Sequence, residues 1–210
     1  MTIIIAKDFE YEIKIKKSRF ICQMKRIQTE EEAKDFILSV KKKHYKANHN
    51  CSVFILEKTE DHQEIQRVSD DGEPSGTAGV PMLEVLKKQE ITNVCVIVTR
   101  YFGGIKLGAS GLIRAYSSSV AETLDKLELV ELVEQQELQL YLDYSLFDSL
   151  LNFLPTKSVE TEFTDKVSVT IYLNESEVFQ FIKELTERFN GKVDIKKGRK
   201  QFVEVTIKKS

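Results

Sequence analysis

The stretch "NVCVIVTRYFGGIKLGASGLIRAYS", Asn93 to Ser117, decides the architecture. Its first ten residues form a continuous β-branched run, the composition of a strand buried on both faces. The glycine-rich "GGIKLGASG" (Gly103 to Gly111) interrupts it. Leu112, Tyr116, Val120, Leu124 and Leu127 then recur at helical spacing. A buried strand, a glycine loop and a helix are therefore expected in that order. Upstream, "DDGEPSGTAG" (Asp70 to Gly79) also precedes a helical pattern, with Pro81 in its first turn and Leu83 and Leu86 behind it. Seven of the nine glycines fall between Gly72 and Gly111, so they are placed and not scattered.

Towards the N-terminus, Phe9, Tyr11, Ile13 and Ile15 alternate with charges as a half-buried strand does, and "SRFICQM" reads as the next strand. Thr29 and Glu32 make a capping box for a helix carrying Ala33, Phe36, Ile37 and Val40. Cys51 to Leu56 and "EIQRVS" are expected to pair across a polar turn at Thr59 to His62. Beyond Leu129 the pattern changes. Leu138, Leu140 and Leu142 alternate, "SLFDSLLNFL" is helical up to Pro155, and "SVETEF" and "KVSVTIYL" are strands. Val178, Ile182, Leu185 and Phe189 mark a helix ended by Gly191, and Val193 to Ile207 holds the last strand. The order βαββαβ is the ferredoxin-like split unit. The fold class is α/β (α+β) with two domains, residues 1–133 and 134–210.

At 210 residues, 41% hydrophobic and 30% charged, the chain suits a soluble protein with packed cores. No apolar run approaches the ~20 residues of a membrane span, and the opening "MTIIIAKDFEYEI" carries too many charges for a signal peptide. Cys22, Cys51 and Cys95 are far apart and odd in number, which gives neither a disulfide framework nor a zinc knuckle and fits a reducing cytoplasm. The net charge of -2 hides a basic end. Lys192, Lys196, Lys197, Arg199, Lys200, Lys208 and Lys209 face only Asp194 and Glu204 there. A stripe of that kind points to an anionic partner such as RNA or a ribosome, although a solvated face has the same composition. Phe202 reads as core within that alternation, with stacking on an unpaired base as the alternative. Glu122, Asp125, Glu128, Glu131, Glu134 and Glu137 form an acidic series spaced by threes.

Backbone N–H groups opening a helix can hold an anion, and both glycine loops precede helices. The candidate ligand contacts are His49, Asp70, Asp71, Gly72, Glu73, Ser75, Gly76 and Thr77 around the first loop. Around the second they are Arg100, Tyr101, Gly103, Gly104, Lys106 and Arg114. Neither loop matches a nucleotide-binding motif. The carboxylates with Ser75 and Thr77 also offer oxygens to Mg²⁺. A turn in which Asp70 and Asp71 accept backbone hydrogen bonds and Arg67 or Arg100 supplies the counter-charge outweighs that reading, so no metal and no cofactor are assigned. Cys51 as a nucleophile with His49 is weaker still, because "CSVFIL" reads as core. His44 and His62 read as surface residues. If both loops serve one site, they should lie side by side with His49, Arg100 and Tyr101 at one cleft.

"KKSRFICQM", "NHNCSVFIL", "RVSDDGEPSGTAGVPMLEVL" and "VIVTRYFGGIKLGASGLIRAYS" closely resemble the signature segments of the IMPACT/YigZ family. The likeness covers roughly Lys16 to Ala121. It implies a first domain of the ribosomal-protein domain-2-like superfold, with a mostly antiparallel sheet backed by helices. It also implies a ferredoxin-like second domain similar to domain V of elongation factor G. Eukaryotic relatives restrain a translation-factor kinase by competing for its ribosome-associated activator, using an extra N-terminal domain that this chain lacks. Some members have carried a proline-dipeptidase label, which no dinuclear-metal or nucleophile signature supports here. The leading expectation is a non-catalytic factor, associated with RNA or the ribosome, that modulates translation, with a protein partner in translation control as a further possibility and no membrane partner. The alternatives are an enzyme acting on a small phosphorylated or nucleotide substrate at Asp70 to Gly79, and a protein-binding module.

Overall fold

A computed structural model describes residues 2–59, 63–155 and 159–207. Residues 60–62 of the expected polar turn, His62 among them, and the tail lysines Lys208 and Lys209 lie outside the described residues. The strands are β1 (Thr2–Ile5), β2 (Phe9–Ile15), β3 (Ser18–Arg26), β4 (His49–Leu56), β5 (Ile65–Ser69), β6 (Val94–Tyr101), β7 (Leu129–Leu142), β8 (Glu160–Phe163), β9 (Val167–Leu173) and β10 (Asp194–Thr206). The helices are α1 (Glu30–Lys43), α2 (Gly79–Lys88), α3 (Ala109–Lys126), α4 (Phe147–Phe153) and α5 (Glu175–Arg188), with a short 3₁₀ turn at Tyr144–Leu146.

The β-branched run becomes β6, the centre of an antiparallel sheet of order β2-β3-β6-β4-β5. All its residues but Tyr101 are buried, because helices cover both faces. On one face Val94, Val96 and Val98 join Cys51, Val53, Met82 of α2 and Tyr116, Val120 and Leu124 of α3. On the other, Cys95 and Ile97 join Phe54 and, from α1, Ala33 and Val40. Thr29 caps α1 by accepting from the Glu32 N–H at 3.2 Å, while the Glu32 carboxylate reaches back to the Gln28 N–H at 2.7 Å. That is one residue beyond the expected box.

The chain divides into Met1–Glu131 with Val205–Ser210, and Leu132–Glu204. In the second unit the elements follow the order βαββαβ. Leu138, Leu140 and Leu142 of β7 and Val167, Val169 and Ile171 of β9 pack against Leu150 of α4 and Phe181 and Leu185 of α5. The fold is thus mixed α/β in two units with antiparallel strand pairing. The first strand, Thr2–Ile5, was not expected, although Ile4 and Ile5 are fully buried. The acidic series does not make one face. Glu122 and Asp125 end α3, whereas Glu131, Glu134 and Glu137 lie on β7, where a spacing of three alternates between faces.

β10 departs from strict alternation. Exposed pairs Lys196–Lys197 and Arg199–Lys200 break the period of two, so the phase slips. Phe202 consequently ends up 69% exposed and is not a core residue.

The two glycine loops need their glycines for different reasons. A Cβ on Gly103 would lie 2.1 Å from the Lys17 carbonyl, so the chains approach too closely for any side chain. Gly108 precedes α3 with φ +72° in open space, where only the backbone conformation favours glycine. Gly108→Ala should therefore cost about 1 kcal/mol, or ~3 °C of melting temperature. Gly103→Ala should cost several times more. Equal losses in thermal melts of the two variants would contradict this packing.

Candidate functional site

Antiparallel register sets His49 of β4 opposite Arg100 of β6, at the end of the sheet from which both glycine loops leave. Side chains alternate across a strand, so His49, Cys51 and Arg100 all point to the α2–α3 face. Arg100 is buried there between two rings, its guanidinium carbon 5.4 Å from the Phe20 centroid and 5.5 Å from that of Phe102. Its Nη1 donates to Glu73 Oε1 at 2.6 Å, and both side chains are almost fully buried. The Tyr116 hydroxyl of α3 donates to the same oxygen at 2.8 Å. One carboxylate from the first loop is thereby held by the strand before the second loop and the helix after it.

The other two loop carboxylates are also engaged inside the protein. Asp70 accepts from the backbone N–H groups of Gly76 (2.8 Å), Ala78 (3.0 Å) and Gly79 (2.8 Å), and so caps α2, which lacks a side-chain cap at Ala78. Burial alone pushes its carboxyl up, but the three donors offset this and hold it below the ordinary range. Asp71 accepts from Lys41 Nζ of α1 and from the Asn50 N–H, each at 2.6 Å. It too is held low, against the effect of burial, by those donors. The Thr77 hydroxyl donates to the Pro74 carbonyl at 2.6 Å, and Ser75 is exposed. Arg67 lies 3.9 Å from Glu30 and not in the loop network. Among the described residues no cluster of His, Cys, Asp and Glu could hold a metal ion.

His49 donates from Nδ1 to the Asp71 carbonyl at 2.9 Å, which leaves Nε2 3.8 Å from Glu73 Oε2. The Cys51 thiol meets the Asp70 carbonyl at 3.0 Å and is pushed up to about 12 by burial, far from the thiolate that nucleophilic attack requires. Cys22 and Cys95 are raised to about 12 by burial as well.

A cleft of about 380 Å³ opens above this network. Asn48, His49, Glu73, Arg100, Phe102 and Lys106 line it, together with the first turn of α3 at Gly108 and Ala109. Both loops therefore border one cavity. Buried Arg100 Nε has no hydrogen-bond acceptor among the described residues, and no side chain caps the N-terminus of α3. Lys106 is exposed and makes no ion pair among the described residues. Tyr101 does not border the cleft. Its hydroxyl lies 3.0 Å from Nδ1 of His44, which is half-buried and no simple surface residue. Arg114 is exposed further along α3, outside the lining, as are Gly72, Gly76, Gly103 and Gly104. Asn48, Phe102 and Tyr116 join the site without having been singled out for it. Only Asn48, flanking His49 in sequence, carried a local signal.

The tail cations are elsewhere, in the second unit. Lys197 and Lys200 both pair with Glu175 at 3.1 Å, and Lys200 approaches Glu134 at 4.0 Å. Lys196 faces a groove rich in carboxylates. Lys192 and Arg199 make no ion pair among the described residues. Among the described residues, Glu175 and Glu134 thus offset part of the tail's positive charge, at Lys197 and Lys200.

The Impact N-terminal domain matches residues 16–124, and a domain of unknown function (DUF1949) matches residues 140–192. The chain is 46% identical to the IMPACT family member YvyE of Bacillus subtilis over 94% of this chain and 91% of that protein. It is 33% identical to the IMPACT family member YigZ of Escherichia coli over 86% of this chain and 90% of that protein. A crystal structure described as that of a hypothetical protein aligns with a TM-score of 0.59 at 31% identity, over 92% of this chain and 95% of that one.

Removing either member of a buried ion pair strands the other charge, at about 3–5 kcal/mol. Glu73→Gln and Arg100→Gln should each lower stability on that scale. The double variant Glu73→Gln with Arg100→Gln should lose much less than the sum of the two single losses in denaturant titrations. Additive losses would mean that the two groups are not coupled. Asp70 and Asp71 have depressed folded-state values, so their stabilisation is complete above the ordinary carboxylate range and disappears as pH falls through the folded values. The stability gap between wild type and Asp70→Asn should therefore close between about pH 5 and pH 2. A gap independent of pH would contradict the cap.

Proposed function

The chain belongs to the IMPACT family, and from that premise we propose that it is a non-catalytic cytoplasmic factor that associates with RNA on the ribosome and modulates translation. The translation role follows from the resemblance to eukaryotic relatives that act in translation control. One observation carries the RNA reading: Arg100, Lys106 and the uncapped N-terminus of α3 converge on a cleft in which the nearby carboxylates are already neutralised. A phosphate in that cleft gains the backbone donors of α3 and the Lys106 charge without meeting a bare carboxylate. Phe102, 44% exposed at the rim, offers a ring on which an unpaired base can stack. Recognition of this kind follows backbone phosphate and tolerates many sequences. The raised cysteine thiols and the His49 Nδ1 tied to a carbonyl favour binding over nucleophilic catalysis.

The test is a titration of labelled single-stranded RNA, and of ribosomal particles, into wild type and Lys106→Glu at several salt concentrations. With about three phosphate contacts the log-log salt slope should be about -2, from ~0.7 per contact. Lys106→Glu should weaken binding about tenfold, with its melting temperature nearly unchanged. Equal affinity for the two proteins removes the cleft from the function. Tighter binding of a mononucleotide than of RNA favours instead an enzyme acting on a small phosphorylated substrate.

A further inference from the structure

The sheet of the second unit has two unlike faces. Its inner residues pack under α4 and α5, whereas the outer set is left to solvent. Register aligns that outer set in rows. Glu160 lies opposite Thr170 and Thr170 opposite Gln139. Glu162 lies opposite Ser168 and Ser168 opposite Tyr141, while Tyr172 lies opposite Glu137. The rows floor a groove of about 780 Å³.

Its charge is one-sided. Among the described residues, Glu137, Glu160, Glu162, Asp165 and Asp194 line it against Lys166 and Lys196. Lys166 is already drawn to Asp194, at 3.8 Å. Glu160 and Glu162 are exposed, sit two residues apart on the same strand face, and make no ion pair among the described residues. Like charges so placed repel, and a cationic partner relieves that repulsion beyond what solvent screening does. The negative field reaches the half-buried Tyr172 ring: burial first, and then Glu160 and Glu137, push its hydroxyl up. Tyr141 and Tyr172 present ring surface beside the carboxylates, a pairing that suits both the stem and the head of lysine or arginine.

We infer that this groove is a docking surface for a lysine- and arginine-rich polypeptide segment of a protein partner. Charge complementarity selects that occupant and disfavours a nucleic-acid strand, whose phosphates would meet five carboxylates. The unit in which composition placed an RNA-binding stripe is thus a protein-binding one. The inference does not depend on the RNA reading of the first unit.

The test uses the full chain and three labelled probes: a ten-residue Lys/Arg-rich peptide, a Glu-rich peptide of equal length, and single-stranded RNA. The basic peptide should bind, less tightly as salt rises. Glu160→Gln with Glu162→Gln should weaken it about tenfold, whereas Glu122→Gln with Asp125→Asn, equal in charge but on α3, should leave it within about twofold. Lys196→Gln should tighten it, a gain that a merely structural role for this face would not give. RNA affinity should not fall in the Glu160/Glu162 variant. Equal weakening by both acidic pairs would reduce the effect to net charge and overturn the inference. So would failure of the basic peptide to bind, or loosening of it by Lys196→Gln.

Discussion

The buried contact between Arg100 and Glu73 organises the first unit. An arginine this deep is tolerated only with its charge matched and its plane covered, and here Glu73, Phe20 and Phe102 meet those needs together. The consequence is topological. Glu73 belongs to the loop before α2, Arg100 to the strand before the second loop, and Tyr116 to α3, so one carboxylate joins three segments. Ordinary hydrophobic packing holds the helices on the sheet, but it does not dictate how the two loops face one another. The ion pair does, and the cleft is the space left above it.

The same constraint explains a loop composition that would otherwise suggest metal or acid–base chemistry. Three carboxylates in four residues diverge to three tasks: capping α2, tying α1 to β4, and neutralising Arg100. Gly72 between them, at φ +86°, lets the backbone turn sharply enough for neighbouring side chains to point to different partners. The loop is then mostly scaffold. The groups it leaves free for a ligand belong to its neighbour, the Gly103–Gly111 segment and the first turn of α3.

The elements whose periodicity is local were legible in the sequence: β6, α3, the capped α1 and the βαββαβ order all follow from patterns within a dozen residues. The site was legible only in outline. Concentrated glycines marked the two loops, but nothing local distinguishes Asp70, Asp71 and Glu73. Glu73 finds its partners 27 and 43 residues away, at Arg100 and Tyr116, and Asp71 finds Lys41 30 residues away, whereas Asp70 is held by backbone N–H groups only 6 to 9 residues on. The tail's charge was legible only in part, for a related reason. Counting charges between Asn190 and Ser210 ignores Glu175 on α5 and the carboxylates on β7 and β8, which the fold brings to the same lysines or the same face. Local net charge predicts a field only where the fold adds no counter-charge.

The central claim is that the cleft above the ion pair, and not the basic tail, receives the anion. Backbone amide chemical shifts recorded while a short single-stranded RNA is titrated into the full chain locate that contact directly. The account predicts the largest shifts at Asn48, His49 and Lys106 to Ser110, with the amides of Lys192 to Lys200 nearly unmoved. Shifts concentrated in Lys192 to Lys200, with the α3 N-terminus silent, would contradict it.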